Sequence, residues 1–299
     1  MTSTTTTATI RDDRAPFSSI DWALFATVGL IWGASFLLIK VGLEAFHPAL
    51  ITWGRVALGA ATLAVMPRPP VEIAREDRKT ILLLSFTWVA IPFTLFPLAE
   101  EHINSAVTGI LNGATPIFAG ILGAVLFDRA PRGPQRVGIA VGFAGVVLMS
   151  AGSSAEGGTA IVGVLMVLAA TVFYGLSINL AGRVQQRYGS IAVMSRMLAL
   201  ATVWTAPFGL WGLPRSTFAI DAAAAVAVLG IAGSGIAFVF MATLAGRVGG
   251  PRASLATYMI PAVSLVLGVV FLSETVALAA LAGIVLVIGG AVLASRRER

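Results

Sequence analysis

Two arginines stand inside long apolar stretches of this 299-residue chain. Arg55 and Arg196 each lie about two turns from the start of their stretch, where a charge is costly and often functional if the stretch crosses a membrane. A guanidinium in such a place can receive a substrate carboxylate, so both are candidate charges on a transport pathway. A long arginine side chain can instead extend to the membrane surface or cap the carbonyls of a broken helix, and that structural interpretation stays open.

Aromatic and small polar residues near the middle of apolar stretches form a second set of candidates. Tryptophan and tyrosine usually lie at the ends of membrane spans, so mid-depth positions are informative. A buried indole or phenol needs a hydrogen-bond partner, and its ring face suits an apolar or aromatic substrate. Ordinary packing in a helix bundle is the alternative. The candidate substrate-binding residues are Trp32, Ser35, Trp88, Asn112, Thr115, Tyr174, Ser177, Phe238, Thr257 and Tyr258.

Many of these candidates occur twice because the two halves of the chain repeat one pattern. Residues 111–123 (LNGATPIFAGILG) match residues 256–268 (ATYMIPAVSLVLG), and residues 32–35 (WGAS) match residues 174–177 (YGLS). Each copy holds five apolar spans. Because an odd number of crossings inverts the second copy, the pattern predicts the inverted repeats typical of secondary transporters.

Pro116 and Pro261 occupy equivalent positions inside the fourth and ninth spans. Each proline removes a backbone hydrogen bond and disturbs the turn before it. Substrate sites in inverted-repeat transporters lie between the repeats where helices are interrupted, so we expect hinges here and a pocket built from spans 1, 3, 4, 6, 8 and 9. Prolines that only kink a helix are the alternative.

The composition identifies an integral membrane protein. Hydrophobic residues make up 57% of the chain and charged residues only 11%, which leaves too little charged sequence for a separate soluble domain. The absence of cysteine excludes disulfides and thiolate metal sites. A net charge of +6 is explained by membrane topology rather than by binding of nucleic acid.

Ten spans of near 20 residues are predicted, with sixteen of the 20 lysines and arginines on one side. The positive-inside rule then places both termini in the cytoplasm. We expect an all-α protein with a disordered cytoplasmic tail at 1–19, one five-helix repeat at 20–151 and an inverted repeat at 159–294. The predicted spans are 20–40, 48–66, 79–99, 105–127, 134–151, 159–182, 190–212, 221–244, 251–272 and 276–294.

Residues 32–36 (WGASF) with Lys40, the two proline segments and the ten spans resemble the drug/metabolite transporter superfamily. Residues 250–274 are similar to the second EamA-like repeat of that family. The resemblance covers nearly the whole chain after the tail and implies a bacterial inner-membrane exporter, close to the branch that exports aromatic amino acids. One departure is Asp128-Arg129 at the end of span 4, where the family often has Glu-Arg.

The acidic residues all fall at span ends or in loops, and Glu100 and Glu101 are predicted to line a solvated vestibule. Proton relays need an acid or histidine at depth, so facilitated export by alternating access is favoured.

The pair of arginines favours amino acids as substrates; an exporter of lipophilic drugs or lipids is the alternative. No catalytic motif and no P-loop occurs, so we expect neither an enzyme nor a cofactor. Glycine patterns in spans 5 and 10 predict scaffold packing or a homodimer contact, and residues 109–113 (GILNG) indicate a close helix contact in span 4.

Overall fold

The computed structural model describes residues 16–67, 70–127, 133–154, 158–276 and 278–295. Within these ranges the chain forms ten long helical elements, a four-residue helix at Gly250–Ala253 that runs into the ninth of them, and no strand. Eight of them are long and apolar enough to cross a membrane, which confirms an all-α membrane protein; α5 and α10 coincide with the other two predicted spans. The helices are α1 Ser19–Leu43, α2 Pro48–Val65, α3 Arg75–Glu100, α4 Ser105–Phe127, α5 Pro134–Ser154, α6 Gly158–Tyr188, α7 Ser190–Arg215, α8 Ile220–Val248, α9 Ser254–Leu272 and α10 Leu278–Ser295.

Several features of the sequence lie outside the described residues. These are the tail up to residue 15, the Asp128-Arg129 pair and the centre of the linker between the repeats. The last part of the segment predicted as tail is described. Ser18 caps α1 by accepting a hydrogen bond from the backbone N–H of Asp21, and the Phe17 ring packs 5.0 Å from the ring of Trp22.

The connections lie at two ends of the bundle, which we name by the predicted topology. The connections α1–α2, α3–α4, α5–α6, α7–α8 and α9–α10 define the predicted outer end, and the others define the predicted inner end. At the inner end an ion pair between Asp21 and Arg247 joins α1 to α8. A second pair, 2.8 Å long, joins Arg187 of α6 to Asp77 of α3. Each ion pair therefore links the first repeat to the second.

The third helix of each repeat widens into a π-helical segment near its middle. In α3 the segment is Ser85–Ala90, after which the N–H of Ile91 donates to the carbonyl of Phe86, five residues back. Pro92 follows and has no N–H to donate, which disfavours the regular α-helical pattern here. In α8 the segment is Leu229–Ile236, which is rich in glycine. Such segments are frequent at functional sites.

The fourth helix of each repeat is interrupted near its proline. In α4 the regular helix stops at Asn112 and resumes at Thr115, with Pro116 in its first turn. In α9 the segment Ser254–Tyr258 is a 3₁₀ helix, and the α-helix begins at Met259, two residues before Pro261. Both breaks lie on the amino-terminal side of the proline, where the missing N–H disturbs the preceding turn.

Helices α5 and α10 pack against each other through the glycines that distinguish them. A Cβ on Gly290 would lie 2.3 Å from the backbone nitrogen of Gly142 and 2.5 Å from the carbonyl oxygen of Gly138. One on Gly145 would lie 2.7 Å from the carbonyl oxygen of Gly283. These glycines thus allow close helix approach within one chain, as in other membrane helix pairs. The predicted homodimer would need other faces of these helices.

Gly290 and its neighbour Gly289 form a matched pair that tests this packing. Gly290→Ala forces a methyl group into the backbone of α5 and should cost about 1–3 kcal/mol, as overpacking does elsewhere. In the described part of the chain a Cβ on Gly289 meets no atom within 4 Å, so Gly289→Ala serves as the control. We expect only the first variant to melt at a lower temperature in detergent, and equal melting temperatures would contradict the described α5–α10 contact.

Candidate functional site

The glycine of each repeated aromatic-Gly-x-Ser motif brings one repeat against the broken helix of the other. A Cβ on Gly33 of α1 would lie 2.5 Å from the Cβ of Val263 in α9. A Cβ on Gly175 of α6 would lie 2.7 Å from the backbone nitrogen of Ala119 in α4. Any larger residue would push these helices apart. The two motifs therefore hold equivalent contacts across the inverted repeats.

The polar groups of the first motif face the π-helical segment of α8. The indole Nε1–H of Trp32 donates to the carbonyl oxygen of Gly233 at 3.1 Å, and its ring meets the Phe238 ring edge to face at 5.3 Å. Ser35 is buried and donates to the carbonyl oxygen of Ile31, one turn earlier in α1. Trp32, Ser35 and Phe238 thus come together where α1 meets α8.

The second motif faces the π-helical segment of α3. Ser177 is fully buried and its hydroxyl donates to the Thr87 hydroxyl at 2.8 Å. The Tyr174 ring lies 5.9 Å from the ring of Phe96, further along α3. Trp88 belongs to the same π-helical segment and is half-buried against the core between α3 and α7. These residues come together where α6 meets α3.

Arg55 is placed inside the bundle rather than at its surface. It is 6% exposed, and its Nε–H donates to the Ser234 hydroxyl at 2.9 Å. The guanidinium carbon lies 3.7 Å above the centre of the Phe93 ring, a cation–π contact. Among the residues that the structure describes, Ser234 is the one that accepts a hydrogen bond from this guanidinium. Its two terminal nitrogens make no hydrogen bond within the described part of the chain.

Arg196, the equivalent position in the second repeat, has a different environment. Its guanidinium donates to the carbonyl oxygen of Ala192, one turn earlier in α7, at 3.0 Å. It also donates to the carbonyl oxygen of Val71 in the α2–α3 connection at the predicted inner end. These are capping interactions of the kind foreseen as the structural alternative. A pathway role for Arg196 stays a prediction.

The interrupted helices α4 and α9 pack against each other close to their prolines. A Cβ on Gly109 would lie 2.2 Å from the Ser264 hydroxyl oxygen, and one on Gly113 would lie 2.9 Å from Cγ of Pro261. The break in α4 therefore lies directly against the proline of α9. In the described part of the chain the Asn112 side-chain oxygen is buried without a hydrogen-bond partner.

The other polar candidates at the breaks are bonded locally. The Thr115 hydroxyl donates to the Asn112 carbonyl at 2.8 Å, and the Thr257 hydroxyl donates to the Ser254 carbonyl at 2.7 Å. Both hydroxyls thus help to satisfy the backbone of an irregular helix end. Tyr258 is half-buried at the last position of the 3₁₀ segment.

The expectation of a solvated vestibule at Glu100 is wrong for this residue. Glu100 is fully buried, whereas Glu101 is exposed as expected. Both carboxyl oxygens of Glu100 are without a hydrogen-bond partner among the described residues. The nearby Lys40 ammonium donates instead to the backbone carbonyl of Glu100, at 2.6 Å. Burial follows from helix geometry, because Glu100 shares one face of α3 with the buried Phe93 and Phe96.

A depression of about 550 Å³ opens at the predicted outer end, next to this acid. Charged and titratable residues line much of it, including Lys40, His47, Glu100, Glu101 and Arg215. Glu274 lies near the same end and caps α4. Its carboxylate accepts hydrogen bonds from the backbone N–H groups of Ser105 and Ala106 at 2.8 and 2.9 Å. A negative charge is favourable at a helix N-terminus, so Glu274 holds the two repeats together here.

Four residues outside the list of candidate substrate-binding residues complete this interior. Phe93 packs against the Arg55 guanidinium, and Thr87 accepts a hydrogen bond from the Ser177 hydroxyl. Ser234 accepts a hydrogen bond from Arg55. Glu100 is a buried acid whose carboxyl oxygens have no hydrogen-bond partner among the described residues. Helical spacing places Glu100 seven residues after Phe93, a signal that would have predicted a shared face. A lone serine among the glycines of residues 229–236 was the signal for Ser234.

Together these groups form an interior that joins a buried cation to aromatic rings and unpaired polar atoms. Such an arrangement can bind a small molecule that has an anionic group and an apolar part. The helices that contribute are α1, α2, α3, α4, α6 and α8, so both repeats are represented.

Comparisons with known proteins agree with this architecture. A probable terminal-alkyne amino-acid exporter of Streptantibioticus cattleyicolor is 28% identical over 285 residues, covering 92% of this chain and 93% of its own. A probable amino-acid metabolite efflux pump of Salmonella typhimurium is 26% identical, covering 90% and 93%. An uncharacterised transporter of Archaeoglobus fulgidus is 27% identical, covering 93% and 99%.

One crystal structure has the same fold, with a TM-score of 0.63 at 21% identity over 93% of this chain and 98% of that one. The family model of EamA-like transporters matches residues 21–151 and again residues 161–296. The two matches cover most of the chain and fall on its two copies of the repeated pattern. The chain is therefore a multi-pass membrane transporter that belongs to the EamA-like transporter family.

Proposed function

We propose that this transporter exports neutral amino acids, aromatic ones foremost, from the cytoplasm. The observation that carries the proposal is Arg55, a buried guanidinium that lies over the Phe93 ring and whose terminal nitrogens make no hydrogen bond among the described residues. A guanidinium matches a carboxylate in charge and geometry, and aromatic faces match an apolar side chain. Two relatives are named as an amino-acid exporter and an amino-acid metabolite efflux pump, which supports the substrate class.

The proposed mechanism is alternating access by rocking of the two repeats. The repeats are linked at the inner end by two ion pairs and at the outer end by Glu274 on α4. Opening one end requires its links to break while those at the other end hold. The break in α4 lies against Pro261, and the interrupted turns near Pro116 and Pro261 are the proposed hinges. Interrupted helices at a repeat interface are typical of such transporters.

We also propose that the protein lies in a bacterial inner membrane with both termini in the cytoplasm. It has no catalytic activity. The five-helix repeats are assigned to 20–151 and 159–294. Transport runs down the substrate gradient without a coupled proton.

Counterflow in proteoliposomes tests the function directly. Vesicles loaded with unlabelled amino acid should take up labelled tryptophan, phenylalanine or methionine well above protein-free vesicles. Uptake should be the same with and without a pH gradient, since the proposal includes no coupled proton. Uptake of a lipophilic cationic drug alone would contradict the substrate class, and uptake only with a gradient would contradict the facilitated mechanism.

Trp32 tests whether the interior rings contact substrate. Trp32→Ala should raise the half-saturating concentration for tryptophan about tenfold, since loss of an aromatic pair is worth up to about 1.5 kcal/mol. Trp32→Phe keeps a ring against Phe238 and should change it less, although it removes the hydrogen bond to Gly233. The control is Trp22→Ala in the exposed part of the same helix. A lower melting temperature with unchanged half-saturation would make Trp32 a packing residue.

A further inference from the structure

The buried acid Glu100 has no role in the function proposed above, although its surroundings are unusual. Its side chain is fully buried, and neither carboxyl oxygen has a hydrogen-bond partner within the described residues. Buried carboxylates are normally paired or hydrogen-bonded, because water is no longer there to solvate them. An ionisable side chain left unpartnered inside a membrane protein is therefore a candidate for a ligand contact.

The neighbouring cations do not supply the missing partner. Lys40 lies close by, but its ammonium hydrogen bond goes to the backbone carbonyl of Glu100. Arg55 and Glu100 interact electrostatically, yet no ion pair joins them in the described structure. Glu274 adds a second negative charge near Glu100, and its own carboxylate oxygens accept hydrogen bonds from backbone N–H groups at the N-terminus of α4. The neighbouring charges therefore balance, and what the Glu100 carboxyl oxygens lack among the described residues is a hydrogen-bond donor.

The position of Glu100 relates it to the other candidate residues. Phe93, Phe96 and Glu100 follow one another along one face of α3. Phe93 lies under the Arg55 guanidinium, and Phe96 lies beside the Tyr174 ring. Glu100 comes next on this face and borders the outer depression. Along this face, Phe93 with the Arg55 guanidinium above it is followed by Phe96 and then by the acid Glu100.

We propose that Glu100 and Arg55 together recognise the zwitterionic head of an amino acid, with Glu100 accepting hydrogen bonds from the α-ammonium and Arg55 donating to the α-carboxylate. This inference rests on the proposed function and adds the residue that binds the amino group of the substrate. A molecule that lacks the ammonium leaves the Glu100 carboxylate buried and unpaired. Sites built around such a polar contact discriminate strongly against analogues that lack it.

Binding of three labelled probes to the purified full-length protein at pH 7 tests the proposal. Phenylalanine has both charged groups, phenethylamine has only the ammonium, and 3-phenylpropionate has only the carboxylate. The wild-type protein should bind 3-phenylpropionate at least about tenfold more weakly than phenylalanine. This comparison needs no variant, so it stands even if a substitution prevents folding, and equal affinities would overturn the proposal.

Substitutions then assign the contact to Glu100. Glu100→Gln should weaken binding of phenylalanine and phenethylamine about tenfold or more and leave 3-phenylpropionate within about twofold. Glu100→Asp keeps the charge and should restore part of the loss. Glu101→Gln is the matched control, because this neighbouring acid is exposed. Arg55→Lys should show the reverse selectivity and weaken 3-phenylpropionate more than phenethylamine.

Other results of these binding and uptake experiments would contradict either the role of Glu100 or amino-acid export itself. Equal weakening of all three probes by Glu100→Gln would make the acid structural. Unchanged binding, together with a pH-gradient effect on uptake that the wild type shows and Glu100→Gln lacks, would make it a proton site and would also contradict transport without a coupled proton. Both results overturn the ammonium assignment while leaving amino-acid export intact. A wild-type protein that binds none of the probes would reject amino-acid export and this inference with it.

Discussion

The architecture depends on two close approaches between the repeats, one at Gly33 and one at Gly175. At each, a Cβ would lie within 2.7 Å of the broken helix of the other repeat. These contacts fix α1 against α9 and α6 against α4. The aromatic residue and the serine of each motif then meet the widened segment of α8 or α3. One short motif, used twice, therefore sets the packing of the interior.

The symmetry of the backbone is not matched by the symmetry of the charges. Arg55 points to Ser234 and Phe93 inside the bundle, whereas Arg196 caps carbonyls near the inner end. The one buried unpartnered acid among the described residues, Glu100, also lies toward the outer end. A repeated scaffold thus holds a buried cation and a buried acid that both come from the first repeat. We infer that the scaffold provides the rocking motion and the asymmetric charges provide recognition.

The fold was largely predictable from the sequence because apolar length and the repeated glycines and prolines constrain helices strongly. The breaks at α4 and α9 were expected from Pro116 and Pro261. The π-helical segments of α3 and α8 were not, because neither Pro92 after the first segment nor the glycines within the second dictate a widened turn by themselves. For the site, the repeat indicated Trp32 and Ser177, but their partners Gly233 and Thr87 depend on tertiary contacts. Glu100 was misjudged because proximity to a span end was taken to mean exposure.

The central claim is that the two repeats rock about their contact and open the two ends alternately. Spin labels on a chain without native cysteine allow the distances at both ends to be measured directly. Exposed positions suit this purpose: Lys79→Cys with Gln186→Cys at the inner end, and Glu101→Cys with Thr275→Cys at the outer end. With saturating amino acid, the account predicts opposite shifts, one distance lengthening as the other shortens. Distances that stay unchanged at both ends, in a preparation that transports, would contradict it.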